Sequence, residues 1–342
     1  MRKTFLLSCL FVFVVCASTV FAQPKASAKM NYEKIKTLIG YPGEVLSMAF
    51  SPDGKTLAIG TSDKKLVLYS VPDWQTINTI KKNGRDVTAV AFSPDGNYLA
   101  AGDKDKRVFI FDTKTWEVVQ KVKTFDDVSA VAFNTDGSML AIAIGKKEKA
   151  MLWDIKKKEL AQTLKSRFGD VQTIAVSPDG SQVAGGTRDN KVVLWDAATG
   201  NEIMSLTGHS SNVEAVTYSP DGKYLVSGGS DNVVMLWDPK TGSYLNRLTG
   251  HTDRISSLAF IPNTTILASA DCKIFLGPFF RKSYVGGPGC QAILWDVATT
   301  KQLKTIETDC SLIAIAFSPD GKYFVTGNVT GSGQFITVYE KK

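Results

Sequence analysis

Short runs rich in Val, Ile, Leu and aromatic residues alternate with polar turns along most of the chain. No window of about 12 residues or more carries a helical period. The run AFSPDGKTLAIG at 49–60 returns in recognisable form from positions 91, 132, 175, 217, 259 and 316. The seven starts are 42, 41, 43, 42, 42 and 57 residues apart. Each copy continues into a second apolar run that ends on an aromatic residue, usually followed by aspartate. These runs are LVLYS, VFIFD, AMLWD, VVLWD, VMLWD, AILWD and ITVYE. Most of the turns between runs are Pro-Asp-Gly. Proline presets φ there and glycine accepts the positive φ that closes a tight turn, so the runs on either side are strands.

Four short strands per ~42 residues cannot bury both faces of their sheet alone, so neighbouring units must stack. That period, with Trp-Asp closing the third strand, predicts an all-β fold: a seven-bladed β-propeller of four-stranded antiparallel blades. The last copy ends at its third strand, residues 334–342, with nothing left for a fourth. Residues 32–40, YEKIKTLIG, read like the fourth-strand segment NEIMSLTG at 201–208. The N-terminal strand is therefore expected to complete the seventh blade and lock the ring.

Residues 207–238, TGHSSNVEAVTYSPDGKYLVSGGSDNVVMLWD, make the pattern specific. The sequence resembles the WD-repeat family of seven-bladed propellers, and the resemblance covers residues 31–342. It implies a buried chain of hydrogen bonds through His209, Ser227, Asp231 and Trp237. Other units depart from the pattern. The glycine-histidine pair survives only at Gly208-His209 and Gly250-His251, and Lys147 stands where the third unit should have its turn aspartate. The resemblance also places the residue before each first strand on the top rim of the central channel. Those residues are Glu44, Asp86, Asp127, Asp170, Asn212, Arg254 and Ser311. Four acids in succession point to a negative mouth that docks a basic peptide or holds a cation weakly. The plainer alternative is a polar loop position where aspartate is common.

Arg2 and Lys3 precede an apolar run at 5–21, and Val20-Phe21-Ala22 offers a cleavage site. Residues 1–22 thus read as a secretory signal peptide, 23–30 as a short linker and 31–342 as the propeller. A retained membrane anchor is the alternative, since the run is only slightly short of a span of ~20 residues. Losing Arg2 and Lys3 lowers the net charge from +7 to +5. The remaining lysines are scattered through turns, as on a solvated surface, rather than set in the aromatic-interleaved stripe that nucleic-acid binding wants. The expectation is a secreted or periplasmic, monomeric protein that keeps no stable hold on the membrane after cleavage. Two glycosylation sequons, Asn263-Thr264-Thr265 and Asn328-Val329-Thr330, matter only on a eukaryotic secretory route.

Catalytic chemistry is sparse. The two histidines, His209 and His251, both occupy the structural glycine-histidine position, and no zinc spacing, phosphate loop or nucleophile motif appears. The expected function is a non-catalytic scaffold for a protein or peptide partner, without cofactor or metal. The alternative is a metal-dependent hydrolase or lactonase built on the channel-mouth carboxylates.

The sixth unit carries about fifteen extra residues between its second and third strands. Cys272 and Cys290 stand at the roots of this insertion, where adjacent antiparallel strands bring two Cα atoms within reach of a disulfide. Cys310 competes as a partner. Phe275, Phe279, Phe280 and Tyr284 have no repeat position in which to be buried. With Arg281 and Lys282 they suggest a binding anchor on the same top face. Alternatively the rings fold back and cover the blade edge.

Overall fold

Six of the seven blades fold as four antiparallel strands in sequence order, the first innermost and the fourth outermost. The computed structural model describes residues 30–39, 43–81, 84–145, 149–272, 274–276, 282–284, 290–308, 310–330 and 333–342. The expected leader, most of the linker and Lys147 lie outside them. Among the described residues every regular element is a strand, and residues 31–342 form one unit.

The innermost strands are Val45–Phe50, Val87–Phe92, Val128–Phe133, Val171–Val176, Val213–Tyr218, Ile255–Phe260 and Ser311–Phe317. Each packs on the innermost strands of the two adjacent blades, and the last packs on the first, so the ring is closed. Small hydroxyl side chains stitch neighbours together here. The Thr88 hydroxyl donates to the Val128 carbonyl (2.6 Å), and that of Ser129 donates to Val171 (3.0 Å). The second and third strands are almost wholly buried, because each is covered on both faces by adjacent blades. The outermost strands alternate or face water, as in Thr76–Lys81.

Closure follows the expected route. Tyr32–Leu38 pairs antiparallel with Gly333–Lys341, giving the seventh blade the spatial order Tyr32–Leu38, Gly333–Lys341, Tyr323–Thr330, Ser311–Phe317. The buried Tyr32 hydroxyl donates to the Gly321 carbonyl at 2.6 Å, and Lys304 of the sixth blade reaches Asn31 Oδ1 at 2.9 Å. A Cβ at Gly327 would lie 2.7 Å from Val45 Cγ1, so glycine is what lets the first blade seat against the seventh.

The Ser-Pro-Asp-Gly turns between first and second strands share one hydrogen-bond design. Ser51 Oγ donates to Asp53 Oδ1 (2.6 Å), and the Lys55 N–H donates to the same oxygen (3.0 Å). Equivalent contacts recur at Ser93–Asp95, Ser177–Asp179, Ser219–Asp221 and Ser318–Asp320. The sixth blade, with Ile261-Pro262-Asn263, lacks the serine and the acid.

Candidate functional site: the channel rim and the insertion

In the first six blades the residue before the innermost strand is fixed by its own backbone, whereas Ser311 of the seventh is already the first residue of its strand. The carbonyls of Glu44, Asp86, Asp127, Asp170, Asn212 and Arg254 accept hydrogen bonds from the N–H groups of Ser62, Lys104, Gly145, Arg188, Ser230 and Cys272. Each donor follows its blade's second strand. The rim residues and the turns into the third strands therefore lie on one edge of the ring, and Cys272 places the root of the insertion there too. The Ser-Pro-Asp-Gly turns lie at the other ends of these strands.

Four acids do stand in succession on this rim, but they are not bare. Lys104 Nζ lies 2.7 Å from Asp86 Oδ2, and Arg188 Nη1 lies 4.0 Å from Asp170 Oδ2. Burial pushes the Glu44 carboxyl above its ordinary value; Lys104 opposes this and Asp86 adds to it. Glu44 and Asp86, from neighbouring blades, thus share a field and one cation. Asp127 lies beside Asp126, whose Oδ1 accepts the Asp127 N–H at 2.9 Å. Ser311 is fully buried.

Arg254, the basic residue of the rim, is drawn against its neighbours. Its side chain is only 22% exposed, Nη1 lies 3.6 Å from Glu214 Oε1, and the guanidinium lies beside Cys272. The basic end of the rim is spent on the join between the fifth and sixth blades.

The histidines are structural. Trp237 Nε1 donates to Ser227 Oγ (2.8 Å), which lies 2.8 Å from His209 Nε2. His209 Nδ1 lies 2.9 Å from Asp231 Oδ2. One proton arrangement satisfies the chain: indole to hydroxyl, hydroxyl to Nε2, and Nδ1–H to carboxylate. A second chain of the same kind, which sequence reading missed, runs through the sixth blade. Trp295 Nε1 donates to Ser269 Oγ (2.8 Å), Ser269 lies 2.6 Å from His251 Nε2, and His251 Nδ1 lies 3.0 Å from Asp271 Oδ2. The signal was present. His and Ser are 18 residues apart in both blades, while Ser and Trp are 10 apart in one and 26 in the other. Elsewhere the tryptophans find other acceptors, the Lys165 carbonyl for Trp195 and Gln120 Oε1 for Trp153.

The insertion holds a short hairpin, Ile274–Leu276 paired with Lys282–Tyr284, between the second strand Ile266–Asp271 and the third strand Cys290–Asp296. Phe275 and Tyr284 lie on its two strands. Phe279, Phe280 and Arg281 lie outside the described residues. The expected bridge between Cys272 and Cys290 is not present in the structure. Both are buried thiols, as is Cys310. Burial pushes the Cys272 thiol up to about 11, against the pull of Arg254.

Among the described residues, no three His, Cys, Asp or Glu side chains converge as a metal site would require, and no helix is long and apolar enough to cross a membrane. On the opposite edge, a groove of about 570 Å³ lies between the turns of the fourth and fifth blades. Its charges include a ready-made pair, Lys223 Nζ to Asp221 Oδ2 at 3.1 Å.

Comparison with known families agrees with this geometry. A family profile described as "WDR19 first beta-propeller" matches residues 88–261, about half of the chain, and "WD domain, G-beta repeat" matches residues 32–70 and 300–339. No curated protein matches the chain. With seven four-stranded blades closed into a ring and two His-Ser-Asp-Trp hydrogen-bond chains, the chain belongs to the WD40-repeat family of β-propellers.

Proposed function

We propose that the protein is a non-catalytic scaffold that binds a protein or peptide partner on the channel edge bearing the acidic rim and the insertion. One observation carries this reading. The six rim carbonyls and the Cys272 N–H put Glu44, Asp86, Asp127, Asp170 and the root of the insertion on the same edge of a closed, stiff ring. A rigid frame lowers the ordering cost of binding, and adjacent acidic and aromatic-basic segments suit an extended partner with basic and apolar residues. The insertion's Phe279, Phe280 and Arg281 supply residue types enriched at binding hot spots.

The compartment is part of the same proposal: secretion or export to a periplasm, with cleavage after Ala22. N-terminal sequencing of the protein from its native host tests it. A mature chain starting at Gln23 is expected, and an intact Met1 overturns export by cleavage.

The scaffold reading is tested by affinity capture from the native envelope or secretion fraction. The wild type is compared with Asp86→Lys/Asp127→Lys/Asp170→Lys and with Phe279→Ala/Phe280→Ala. A partner retained by the wild type and lost by both variants supports the shared edge. Equal capture by all three, with folding intact, overturns it.

A further inference from the structure

The structure assigns Cys272 and Cys290 as an oxidation site: we infer that a small-molecule or protein disulfide donor joins them across the stems of the insertion, while Cys310 keeps its thiol. Strand register gives the first reason. Ile266↔Asp296, Ala268↔Leu294 and Ala270↔Ala292 are opposed across the second and third strands of the sixth blade. Continuing two residues sets Cys272 opposite Cys290 on the face of Ala270 and Ala292. Directly opposed residues of an antiparallel pair have Cβ atoms ~4.5–5.5 Å apart, a small adjustment from the ~3.5–4.5 Å of a disulfide. The two strands are held beyond their regular pairing by the Gln291 N–H, which donates to Asp271 Oδ1 at 2.7 Å. Cys272 is held from its other side, its N–H donating to the Arg254 carbonyl.

Side-chain surroundings give the second reason. The Cys272 thiol has the Ser311 hydroxyl and the Cys290 thiol among its neighbours, and Cys290 Sγ lies 3.9 Å from Ser311 Oγ. Both sulfurs therefore meet at one hydroxyl, at the seam between the sixth and seventh blades. Cys310 stands nearby, the Thr308 hydroxyl donating to the carbonyls of both Cys290 (3.1 Å) and Cys310 (2.9 Å), and its thiol acts on the buried Tyr339 phenol of the seventh blade. The shared Ser311 hydroxyl and the strand register together make Cys272 and Cys290 the pair that oxidation joins. In the fifth blade, the register Val226↔Leu236 continues to Ser230 opposite Asn232, with one residue between them. In the sixth blade the whole segment 273–289 occupies that place, so a bond between its ends would return the blade to a short closed turn.

Oxidation proceeds by two exchanges. One thiolate attacks a donor such as glutathione disulfide, forming a mixed disulfide and releasing one glutathione thiolate. The second cysteine attacks the protein sulfur of that mixed disulfide and releases the other. The two cysteines lose two protons and two electrons, and the donor is reduced to two thiols. Both thiols are out of reach of solvent in the closed ring, Cys272 at 0% and Cys290 at 1% exposure, so the donor reaches them while the chain is folding, before the seam closes.

Trypsin separates the three cysteines into peptides 255–273, 283–301 and 305–322. The full chain is unfolded in reductant, refolded in a glutathione redox buffer, alkylated and digested without reduction. Peptides 255–273 and 283–301 joined, with 305–322 alkylated, is the expected result, and Cys310→Ser should leave that link in place. A bridge containing 305–322, or alkylation of all three cysteines in the refolded propeller, overturns the assignment. The readout does not depend on any partner, so its failure is separable from failure of the scaffold reading.

Discussion

Asp271 Oδ2 lies 3.0 Å from His251 Nδ1, although it stands two residues earlier in its blade than Asp231 does in the preceding one. Gly229 shows why the substitution works. A Cβ at Gly229, the position equivalent to Asp271, would sit 2.6 Å from Asp231 Oδ1 and 2.7 Å from His209 Nδ1. A carboxylate arriving from either position reaches the same imidazole. The insertion displaced the usual turn aspartate of the sixth blade, and Asp271 closes the chain from within the strand instead.

Asp271 and His251 are both fully buried at their side chains, so removing one leaves the other unpaired in the interior. Asp271→Ala is expected to destabilise the protein by about 2–4 kcal/mol, measured by urea unfolding. Removing both partners in His251→Leu/Asp271→Ala should cost less than the sum of the two single variants. Strict additivity would show that the pair is not coupled.

Acid should unfold the ring by a route that can be assigned. The carboxyls of Asp53, Asp95, Asp136, Asp179, Asp221 and Asp320 are all held below the ordinary aspartate value. At Asp179 the causes are the Ser177 hydroxyl, then the Ser181 N–H and hydroxyl. Asp231 is also lowered: burial raises it, but the hydrogen bonds from His209 and from the Ser210 and Val233 N–H groups outweigh that. A depressed folded-state value means the stabilisation is complete above the unfolded value of about 3.9 and is lost as pH falls through the folded one. Melting temperature should hold above about pH 5 and drop steeply below about pH 4. Ser177→Ala should make that drop shallower, because Asp179 then has less to lose.

What could be read in the sequence, and what could not, divides along physical lines. The seven blades and the closing role of residues 32–38 were legible because period and turn chemistry are local. So was the His209-Ser227-Asp231-Trp237 chain, which sits at uninterrupted spacing. The Asp271 chain was missed because an insertion stretched one interval, though the His-to-Ser spacing was intact. The rim acids were found by position. The pairing of Asp86 with Lys104 and of Asp170 with Arg188 was not, because it depends on contacts across a turn. Arg254 was placed on the rim by position alone; only the packing of the fifth blade against the sixth shows Glu214 and Cys272 beside it.

The Glu44–Asp86 relationship is measurable whether or not a partner is known. Burial and Asp86 raise the Glu44 carboxyl, and Lys104 lowers it. Asp86→Asn removes a repelling charge and leaves Lys104 without its 2.7 Å partner, so Glu44 should titrate at lower pH. Lys104→Ala should move it higher. Carboxyl resonances followed by NMR across the titration check both signs, and shifts of the same sign in the two variants would contradict the shared field.

Deleting residues 31–39 removes the outer strand of the seventh blade, including the bonds from Tyr32 to Gly321 and from Lys304 to Asn31. The strand Gly333–Lys341 then becomes an uncovered edge, and the joint between seventh and first blades loses Leu38 from its core. Loss of a cooperative melting transition is expected. Tyr32→Phe, which removes only the buried hydroxyl bond, should cost about 1 kcal/mol with cooperativity intact. A deletion variant that melts like the full chain would mean that the ring closes without this strand.

The two sequons are not equivalent in the folded ring. Asn263 is exposed in a tight turn at φ +58°, whereas Asn328 is fully buried on Tyr323–Thr330 and donates through Nδ2 to Thr337 Oγ1 at 2.8 Å. A glycan on Asn328 would have to replace that bond and occupy the interior of the seventh blade, so chains carrying it should fail to fold. Expressed through a glycosylating secretory route, the folded protein should carry sugar at Asn263 alone, and Asn263→Gln should abolish the glycosidase-sensitive shift on a gel. Asn328→Gln should leave that shift unchanged but lower stability by about 1–3 kcal/mol, because the longer amide disturbs a buried hydrogen bond in a tightly filled site. A folded protein glycosylated at Asn328 would contradict the burial of that strand.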